Sequence, residues 1–297
     1  MPELPEVQTV VNDLNQKIKG DVITDFWSEW PKAIKNKSLS IFKKEIVGRK
    51  ILGVRRIGKN IFVDLSGGKT LYIHLKMTGH LLIKSKFQIS NAKANPKSKI
   101  PNYFEDKVNQ YIRHQWTLKD KNNKIKTIDF SDVRKFAKIV LDDTQKISEL
   151  KEIKALGVDA MSSEFTLKKF DEILDKKKNS PIGIILMDQN LIAGIGNIYR
   201  SEILFMAGVL PTRKAQDIGE KKRTEIFKSV GKILQKAIEL RGTSDSDYRD
   251  TNGAPGGFQK ILKVYRRQGQ KCQKCDTIVV RQTLGQRAVF FCPGCQK

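Results

Sequence analysis

The spacing of apolar residues changes once along this chain, near residue 146, and that change limits the possible folds more than any other feature. Over residues 21–140 apolar and polar residues alternate, as in KILGVRRIGKNIFVDLSGGKTLYIHLKMTGHLLIK, where SGGK is typical of a hairpin turn. After residue 146 the apolar residues recur every three or four positions, as in TLKKFDEILDKKK and KKRTEIFKSVGKILQKAIEL. Strands followed by helices predict an α+β protein.

The same patterns predict how the chain is divided. Its 297 residues are enough for two hydrophobic cores, and no internal repeat is visible. The predicted parts are a helix over 1–19 inside a β-rich domain 1–140, a linker 141–152, a helical domain 153–262 with a glycine-rich loop at 242–258, and a hairpin domain 263–297.

The charge of the chain indicates its class of partner. Lysine and arginine total 56 against 32 aspartate and glutamate, a net charge of +24. Such an excess favours a polyanionic partner, most simply nucleic acid. Lysine-rich codon usage, which spreads charge over a solvated surface, is the alternative, and KKK at 176–178 fits it. No apolar run reaches the ~20 residues of a membrane helix, and the acidic first segment is unlike a signal peptide, so we expect a cytoplasmic protein.

All four cysteines lie in the last 26 residues, as two C-x-x-C pairs separated by sixteen residues. This spacing predicts a four-thiolate zinc site formed by Cys272, Cys275, Cys292 and Cys295. Two disulfides are the alternative, which a reducing compartment disfavours. The residues between the pairs read as a hairpin with Arg287 just after its turn. Such a hairpin suits a DNA groove, although a zinc ribbon can equally bind protein.

The segment LIAGIGNIYRSEIL joins two predicted helices. Gly194 and Gly196 predict a tight turn, and Asn197 is placed to cap the following helix. A helix N-terminus binds phosphate groups. A nucleotide-cofactor site is excluded, because the third glycine is missing and the turn follows a helix. A plain turn between helices remains an alternative.

The chain opens MPELPEVQTV, with a helical pattern that starts almost at once. Proline and acidic residues at a helix start are ordinary, so a purely structural role is one interpretation. However, a helix that begins this early predicts that the first residues are held against the protein body. Pro2 is small enough for Met1 to be removed. Its secondary amine, beside Glu3, could then attack a carbonyl-like carbon and form an iminium.

Taken together, several motifs resemble one family. PELPEVQT, GKNIFVDL around Lys59, HLKMTG at 74–79, DVRKFA at 132–137, LMDQNLIAGIGNIYRSEIL at 186–204 and the cysteine hairpin occur in family order. The chain is similar, nearly end to end, to the bacterial formamidopyrimidine-DNA glycosylases, which repair 8-oxoguanine. The resemblance implies an N-terminal β-sandwich domain, a helical domain with a helix–two-turns–helix, and a β-hairpin zinc finger.

The resemblance also implies the catalytic residues. In this family the Pro2 amine attacks the sugar C1′ of a damaged nucleotide, Glu3 is the acid–base partner, and β,δ-elimination then cuts the backbone. Glu6 supports the first turn and its water network. Lys59 contacts DNA from a hairpin turn, although a solvated hairpin lysine is its alternative. Arg287 is expected both at the catalytic site and on the DNA backbone.

The family flips the damaged base out of the duplex, so it needs residues to fill the void. The resemblance implies that Met77, Arg134 and Phe136 do so, whereas the strand pattern alone predicts Met77 and Phe136 as core residues. His74 and Asn197, with Arg287, are implied phosphate contacts. The loop 242–258 is implied to close over flipped 8-oxoguanine; a disordered linker is its alternative.

Some positions depart from the family pattern and affect lesion preference and capping geometry. These are Val133, Ala137, His114 with nearby Trp116, Arg241, Gln286 and a basic insert near 86–110. An endonuclease VIII-like enzyme for oxidised pyrimidines and a non-catalytic zinc protein that binds nucleic acid are the alternative functions. The expected partner is damaged double-stranded DNA of the bacterial nucleoid, bound by a monomer with one structural zinc, no membrane and no small-molecule cofactor.

Overall fold

A computed structural model describes residues 1–85, 103–245 and 247–297, so most of the basic insert lies outside the described residues. The chain forms two compact units. The first contains Met1–Lys154 and Arg241–Gly257, and the second contains Ala155–Leu240 and Phe258–Lys297. No helix in the described ranges is both long and apolar enough to cross a membrane.

The first unit is a β-sandwich with an N-terminal helix, as expected. Its elements are α1 (Leu4–Ile18), β1 (Val22–Ser28), α2 (Leu39–Ile46), β2 (Ile51–Ile57), β3 (Asn60–Leu65), β4 (Lys69–His74), β5 (His80–Ser85), β6 (Ile112–Lys119), β7 (Ile125–Ser131), β8 (Lys138–Asp143), α3 (Thr144–Ser148) and α4 (Lys151–Lys154). The strands form two antiparallel sheets of four, in the orders β1-β6-β7-β5 and β2-β3-β4-β8.

Alternating apolar residues fix the register of the sandwich. On neighbouring strands Val63 is paired with Leu71, and Ile61 with Ile73. All four side chains are buried. Residues two apart on a strand point to the same face of the sheet, so each strand directs this pair of side chains into the core. Helix α1 packs on this core through a stripe at helical spacing, Val7, Val10, Leu14 and Ile18.

The second unit carries the helical domain and the cysteine hairpin. Its elements are β9 (Val158–Asp159), α5 (Leu167–Lys176), α6 (Ile182–Ile185), β10 (Ile192–Ala193), α7 (Asn197–Ala207), α8 (Glu220–Glu239), β11 (Val280–Leu284) and β12 (Arg287–Phe291). Helix α7 ends at Gly208, whose φ of 66° is left-handed and lets its N–H reach the carbonyls of Leu204 and Phe205. Strands β11 and β12 pair antiparallel, as the sequence predicts.

Two boundaries differ from those expected. The predicted linker 141–152 is ordered: it contains the end of β8, all of α3 and the start of α4, and Thr144 N donates to Gly68 O at 2.9 Å. The glycine-rich segment belongs to the first unit and not to the helical domain, because Arg241–Gly257 bonds to α1 and the sandwich. These long-range partners are invisible to a local pattern.

Candidate active site and nucleic-acid interface

The first turn of α1 is fixed by a pair of buried carboxylates. Glu3 precedes the helix and shares a reciprocal capping box with Glu6, in which Glu3 N donates to Glu6 Oε2 at 2.7 Å. Glu3 and Glu6 are only 3% and 1% exposed, Pro2 is buried, and Met1 is exposed. The residue after Met1 is therefore held in place, as the early helix start predicts.

Glu6 also fixes the glycine-rich segment of the same unit. Its Oε1 accepts from Thr243 N at 2.7 Å, and the Tyr248 hydroxyl donates to its backbone carbonyl at 3.5 Å. Burial, and next the Glu6 carboxylate, raise the pKa of Tyr248 well above its ordinary value, so this hydroxyl keeps its proton. A Cβ on Gly242 would lie 2.7 Å from Glu6 Oε1, and its φ of +84° also demands glycine.

Lys59 lies in the turn between β2 and β3 and is only 7% exposed, so the solvated-lysine alternative is wrong. The turn is closed by Asn60 Nδ2, which donates to Ile57 O at 3.0 Å. The Tyr72 hydroxyl donates to Asn60 Oδ1 at 2.9 Å and fixes that amide. The asparagine of the GKN motif thus gives the lysine a defined position.

His74 ends β4 and is held neutral. Burial lowers its pKa to about 3, with smaller contributions from Lys76, Lys59 and Lys138. Its Nδ1 accepts from Lys76 N at 2.9 Å, which places the proton of the neutral ring on Nε2. His74 can therefore donate one hydrogen bond to an anionic oxygen without carrying a charge itself.

Met77 and Phe136 are exposed by 41% and 57%, so the prediction of core residues from the strand pattern is wrong. Arg134 is also exposed, and its Nη1 lies 3.4 Å from Met77 Sδ. Each of the three lies in a turn between strands, Met77 between β4 and β5 and the other two between β7 and β8. The fold brings them together at the surface of the first unit.

The buried carboxylate of Asp132 accepts hydrogen bonds from both of these turns. Asp132 Oδ1 accepts from the Thr78 hydroxyl and from Arg134 N, the latter at 3.2 Å, while its Oδ2 accepts from Ala137 N at 3.0 Å. Thr78 Oγ1 also accepts from Arg134 N at 3.1 Å. The positive φ of this turn, 58°, belongs to Lys135, so Ala137 fits where the family pattern has glycine.

The glycine-rich segment is ordered where the structure describes it, and a disordered linker is the wrong interpretation. Asp250 closes its tip, accepting at Oδ1 from Asn252 N at 2.8 Å and Ala254 N at 3.0 Å. Its base closes where Gly256 N donates to Ser244 Oγ at 2.9 Å. Ser246 lies outside the described residues.

In the second unit Asn197 is the first residue of α7 and does not cap it; Gly196 holds the cap position. The Asn197 side chain instead accepts from Arg200 Nη2. Arg200 is buried and also donates to Gly183 O at 3.0 Å and to Ala288 O at 3.1 Å. It thereby joins α6 and the start of α7 to the hairpin. The role of Arg200 was not predicted from the sequence, although an arginine inside an apolar helix is itself a signal.

Arg287 is exposed at the start of β12. The two residues before it, Gly285 and Gln286, have φ values of 55° and 62°, as a two-residue hairpin turn with right-handed twist requires. The bond between Arg200 and Ala288 O fixes the strand next to this guanidinium. The hairpin therefore carries an exposed cation next to a strand that a hydrogen bond from Arg200 holds in place.

The four cysteines form one cluster whose sulfur atoms all lie within 4.8 Å of one another. Cys275 Sγ is 3.4 Å from Cys292 Sγ, and Cys272 Sγ is 3.8 Å from Cys295 Sγ. These separations exceed a disulfide bond of about 2.05 Å, so the thiols are free. Tetrahedral ligands at about 2.3 Å from a zinc ion lie roughly 3.8 Å apart, which the cluster fits.

A sandwich with a fixed N-terminal turn, a helix–two-turns–helix and a four-cysteine hairpin together define a DNA glycosylase. Residues 1–139 match the formamidopyrimidine-DNA glycosylase N-terminal domain, and residues 156–248 match the H2TH domain of the same enzymes. The chain belongs to the formamidopyrimidine-DNA glycosylase family.

Individual relatives match this chain in sequence and in fold over its whole length. The formamidopyrimidine-DNA glycosylase of Carboxydothermus hydrogenoformans is 37% identical over 297 residues and 100% of both chains. Lactococcus lactis Fpg in complex with DNA that contains an abasic site has a TM-score of 0.82 and 29% identity over 99% of both chains. A mutant of that protein in complex with Fapy-dG-containing DNA has a TM-score of 0.82 and 30% identity over 100% of both chains.

Proposed function

We propose that this protein is a bifunctional DNA glycosylase and abasic-site lyase that excises oxidised purines, 8-oxoguanine and formamidopyrimidines, from duplex DNA. The observation that carries the proposal is the buried, hydrogen-bonded first turn, in which Glu3 and Glu6 fix the residue after Met1. The Lactococcus lactis relatives bound to abasic-site DNA and to Fapy-dG-containing DNA support both activities.

The reaction begins with the amine of Pro2, once Met1 is removed. Its lone pair attacks the sugar C1′, the bond to the damaged base breaks, and the base leaves with a proton. Glu3 is the acid–base group that helps open the sugar ring. The resulting iminium acidifies the protons on C2′, so successive β- and δ-eliminations release both flanking phosphates, and water then frees the amine.

The remaining groups bind the DNA that this reaction needs. Lys59 and neutral His74 contact phosphates beside the lesion, His74 through its Nε2 proton. In the second unit Asn197 and Arg287 are the corresponding contacts. The exposed cation of Arg287 suits this role because phosphate neutralisation dominates the affinity for DNA.

Base extrusion leaves a void in the duplex, which Met77, Arg134 and Phe136 fill. Met77 adapts its shape to the gap, Phe136 wedges into a base step, and Arg134 donates to the orphaned partner base. Their exposure on neighbouring turns supports this role. The segment 242–258 covers the extruded base with backbone donors.

The cysteine cluster holds one structural zinc through Cys272, Cys275, Cys292 and Cys295. Zinc would supply the folding energy of a small hairpin that has little core of its own. The metal has no part in the reaction. The chain itself supplies the amine, the acid–base group and the cations.

Borohydride trapping tests the proposal. The protein should become covalently joined to a duplex with 8-oxoguanine opposite cytosine, and peptide mapping should find the link on Pro2. The same protein with one residue retained before Pro2 is the control and should bind DNA without crosslinking. A crosslink on Lys59 with Pro2 unmodified would overturn the mechanism. Preferential excision from an oxidised-pyrimidine duplex would instead favour the endonuclease VIII-like alternative.

A further inference from the structure

Arg241 is the first residue of the first unit's glycine-rich segment and stands where the family pattern has glycine. Its φ is +60°, a left-handed conformation that residues with a side chain rarely adopt. Such strain persists only where surrounding contacts hold it. The contacts of the Arg241 side chain must therefore hold its backbone in this left-handed conformation.

The Arg241 guanidinium binds two buried carboxylates at once. Its Nε donates to Asp250 Oδ2 at 2.6 Å, its Nη1 donates to Asp13 Oδ1 at 3.2 Å, and its Nη2 donates to Asp13 Oδ2. Asp250 closes the tip of the segment, and Asp13 lies on α1. A single side chain therefore fastens the start and the tip of the segment to the helix whose first turn carries Glu3.

Further bonds on the same face agree with this arrangement. The Thr251 hydroxyl donates to Asp13 Oδ2 at 2.6 Å. Lys17, one helical turn after Asp13, donates to Thr251 Oγ1 at 2.9 Å and to Asn252 Oδ1 at 2.6 Å. Without Arg241, Asp13 and Asp250 would be buried charges deprived of their main counter-ion, which is far more costly than losing an exposed ion pair.

We propose that Arg241 is a positioning residue that presets the segment 242–257 on α1 before any DNA is bound. The inference rests on the proposed function, in which this segment covers the extruded base. Excision of 8-oxoguanine needs the cover to be in place, whereas cutting at a ready-made abasic site has no base to cover. Arg241 thus affects the first reaction more than the second.

Three variants separate the contributions of charge and backbone. Arg241→Gln keeps the strained backbone and loses both ion pairs. Arg241→Gly loses the ion pairs but removes the strain, so it should be the milder change. Arg55→Gln is the matched control, since Arg55 also pairs with a carboxylate, Asp64, but on the exposed face of β2.

Two measurements are made on each full-length variant. In Arg241→Gln we expect the amide hydrogens of 242–257 to exchange faster in the free protein. We expect 8-oxoguanine excision to slow about ten- to hundredfold, because misplaced binding groups lose that much rate, with abasic-site cutting changed far less. Asp13→Asn should add little to Arg241→Gln, since the pair between Arg241 and Asp13 is already lost in that variant. Arg55→Gln should match the parent protein in both measurements.

Unchanged exchange and unchanged excision in Arg241→Gln would overturn the proposal. Equal loss on both substrates would also overturn it, because that result indicates a general folding defect. If the parent protein excises no oxidised purine at all, the proposed function fails instead. The exchange comparison then still decides whether Arg241 orders the segment.

Discussion

The two units present their site residues in opposite ways. In the first unit the two carboxylates at the proposed reaction site are buried: Glu3 and Glu6 are at most 3% exposed. In the second unit Arg287 is exposed on a hairpin tip, and the buried Arg200 behind it donates to the backbone. The carboxylates of the first unit are therefore buried, whereas the arginine of the second unit is exposed to solvent.

The difference follows from what each kind of group has to do. A group that exchanges a proton or attacks carbon gains from a dry, preorganised setting, where electrostatic interactions are strong. An exposed cation such as Arg287 is accessible to a phosphate at the protein surface, where salt screens the interaction. Changes in the first unit should therefore alter reaction rates, and changes in the second unit should alter affinity.

The largest effect is expected from Glu3→Gln, since an amide cannot exchange the proton. Excision of 8-oxoguanine should fall by about 10²- to 10⁴-fold while binding to damaged duplex is retained. Single-turnover rates and gel-shift affinities measure the two quantities. Glu149→Gln, at an exposed carboxylate, is the matched control and should change neither. If Glu3→Gln excised 8-oxoguanine at the normal rate but bound damaged duplex weakly, the expectation that first-unit changes alter rate and second-unit changes alter affinity would be wrong.

Phe136→Ala should reduce excision from duplex DNA by roughly tens- to a hundredfold, because extrusion costs a few kcal/mol. Cutting at an abasic site should fall less, since less extrusion work remains. Trp27→Ala removes another exposed aromatic side chain of the first unit and serves as the control. Equal losses on the two substrates would assign Phe136 to folding.

Cys292→Ser should abolish stoichiometric zinc and weaken DNA binding by about tenfold or more, through loss of the ordered hairpin. The sandwich should remain folded, because its core contains none of these residues. Metal analysis, gel shift and circular dichroism report the three results. Freshly isolated parent protein with two disulfides and no metal would contradict the zinc assignment.

The smallest effect is expected from Arg287→Ala as a pure binding change. Affinity should fall by a few fold on damaged and intact duplexes alike, and the slope of log K against log salt should become shallower by about 0.9. Lys236→Ala removes an exposed cation from α8 and should leave the slope unchanged. An effect of Arg287→Ala on the reaction rate alone would contradict phosphate binding and favour the catalytic role that the family resemblance implies.

Much of this arrangement was predictable from local patterns. The change of period predicted strands before helices, and the cysteine spacing predicted a single cluster. Contacts between distant residues were not predictable: nothing near Asp13 indicates a partner at position 241, and nothing near Thr78 indicates Asp132. The pattern also failed for Met77 and Phe136, because apolar side chains at a surface look like core residues to a periodicity argument.

The carboxylate of Asp132 has a consequence for the time the protein spends at each base pair. It holds the turns of Met77 and Phe136 together, so their backbone entropy is lost when the chain folds and not when it meets a duplex. Under the proposed function, the protein tests many intact base pairs for each damaged one. If Met77 and Phe136 fill the void as proposed, these preset turns let it test each base pair without first ordering a loop.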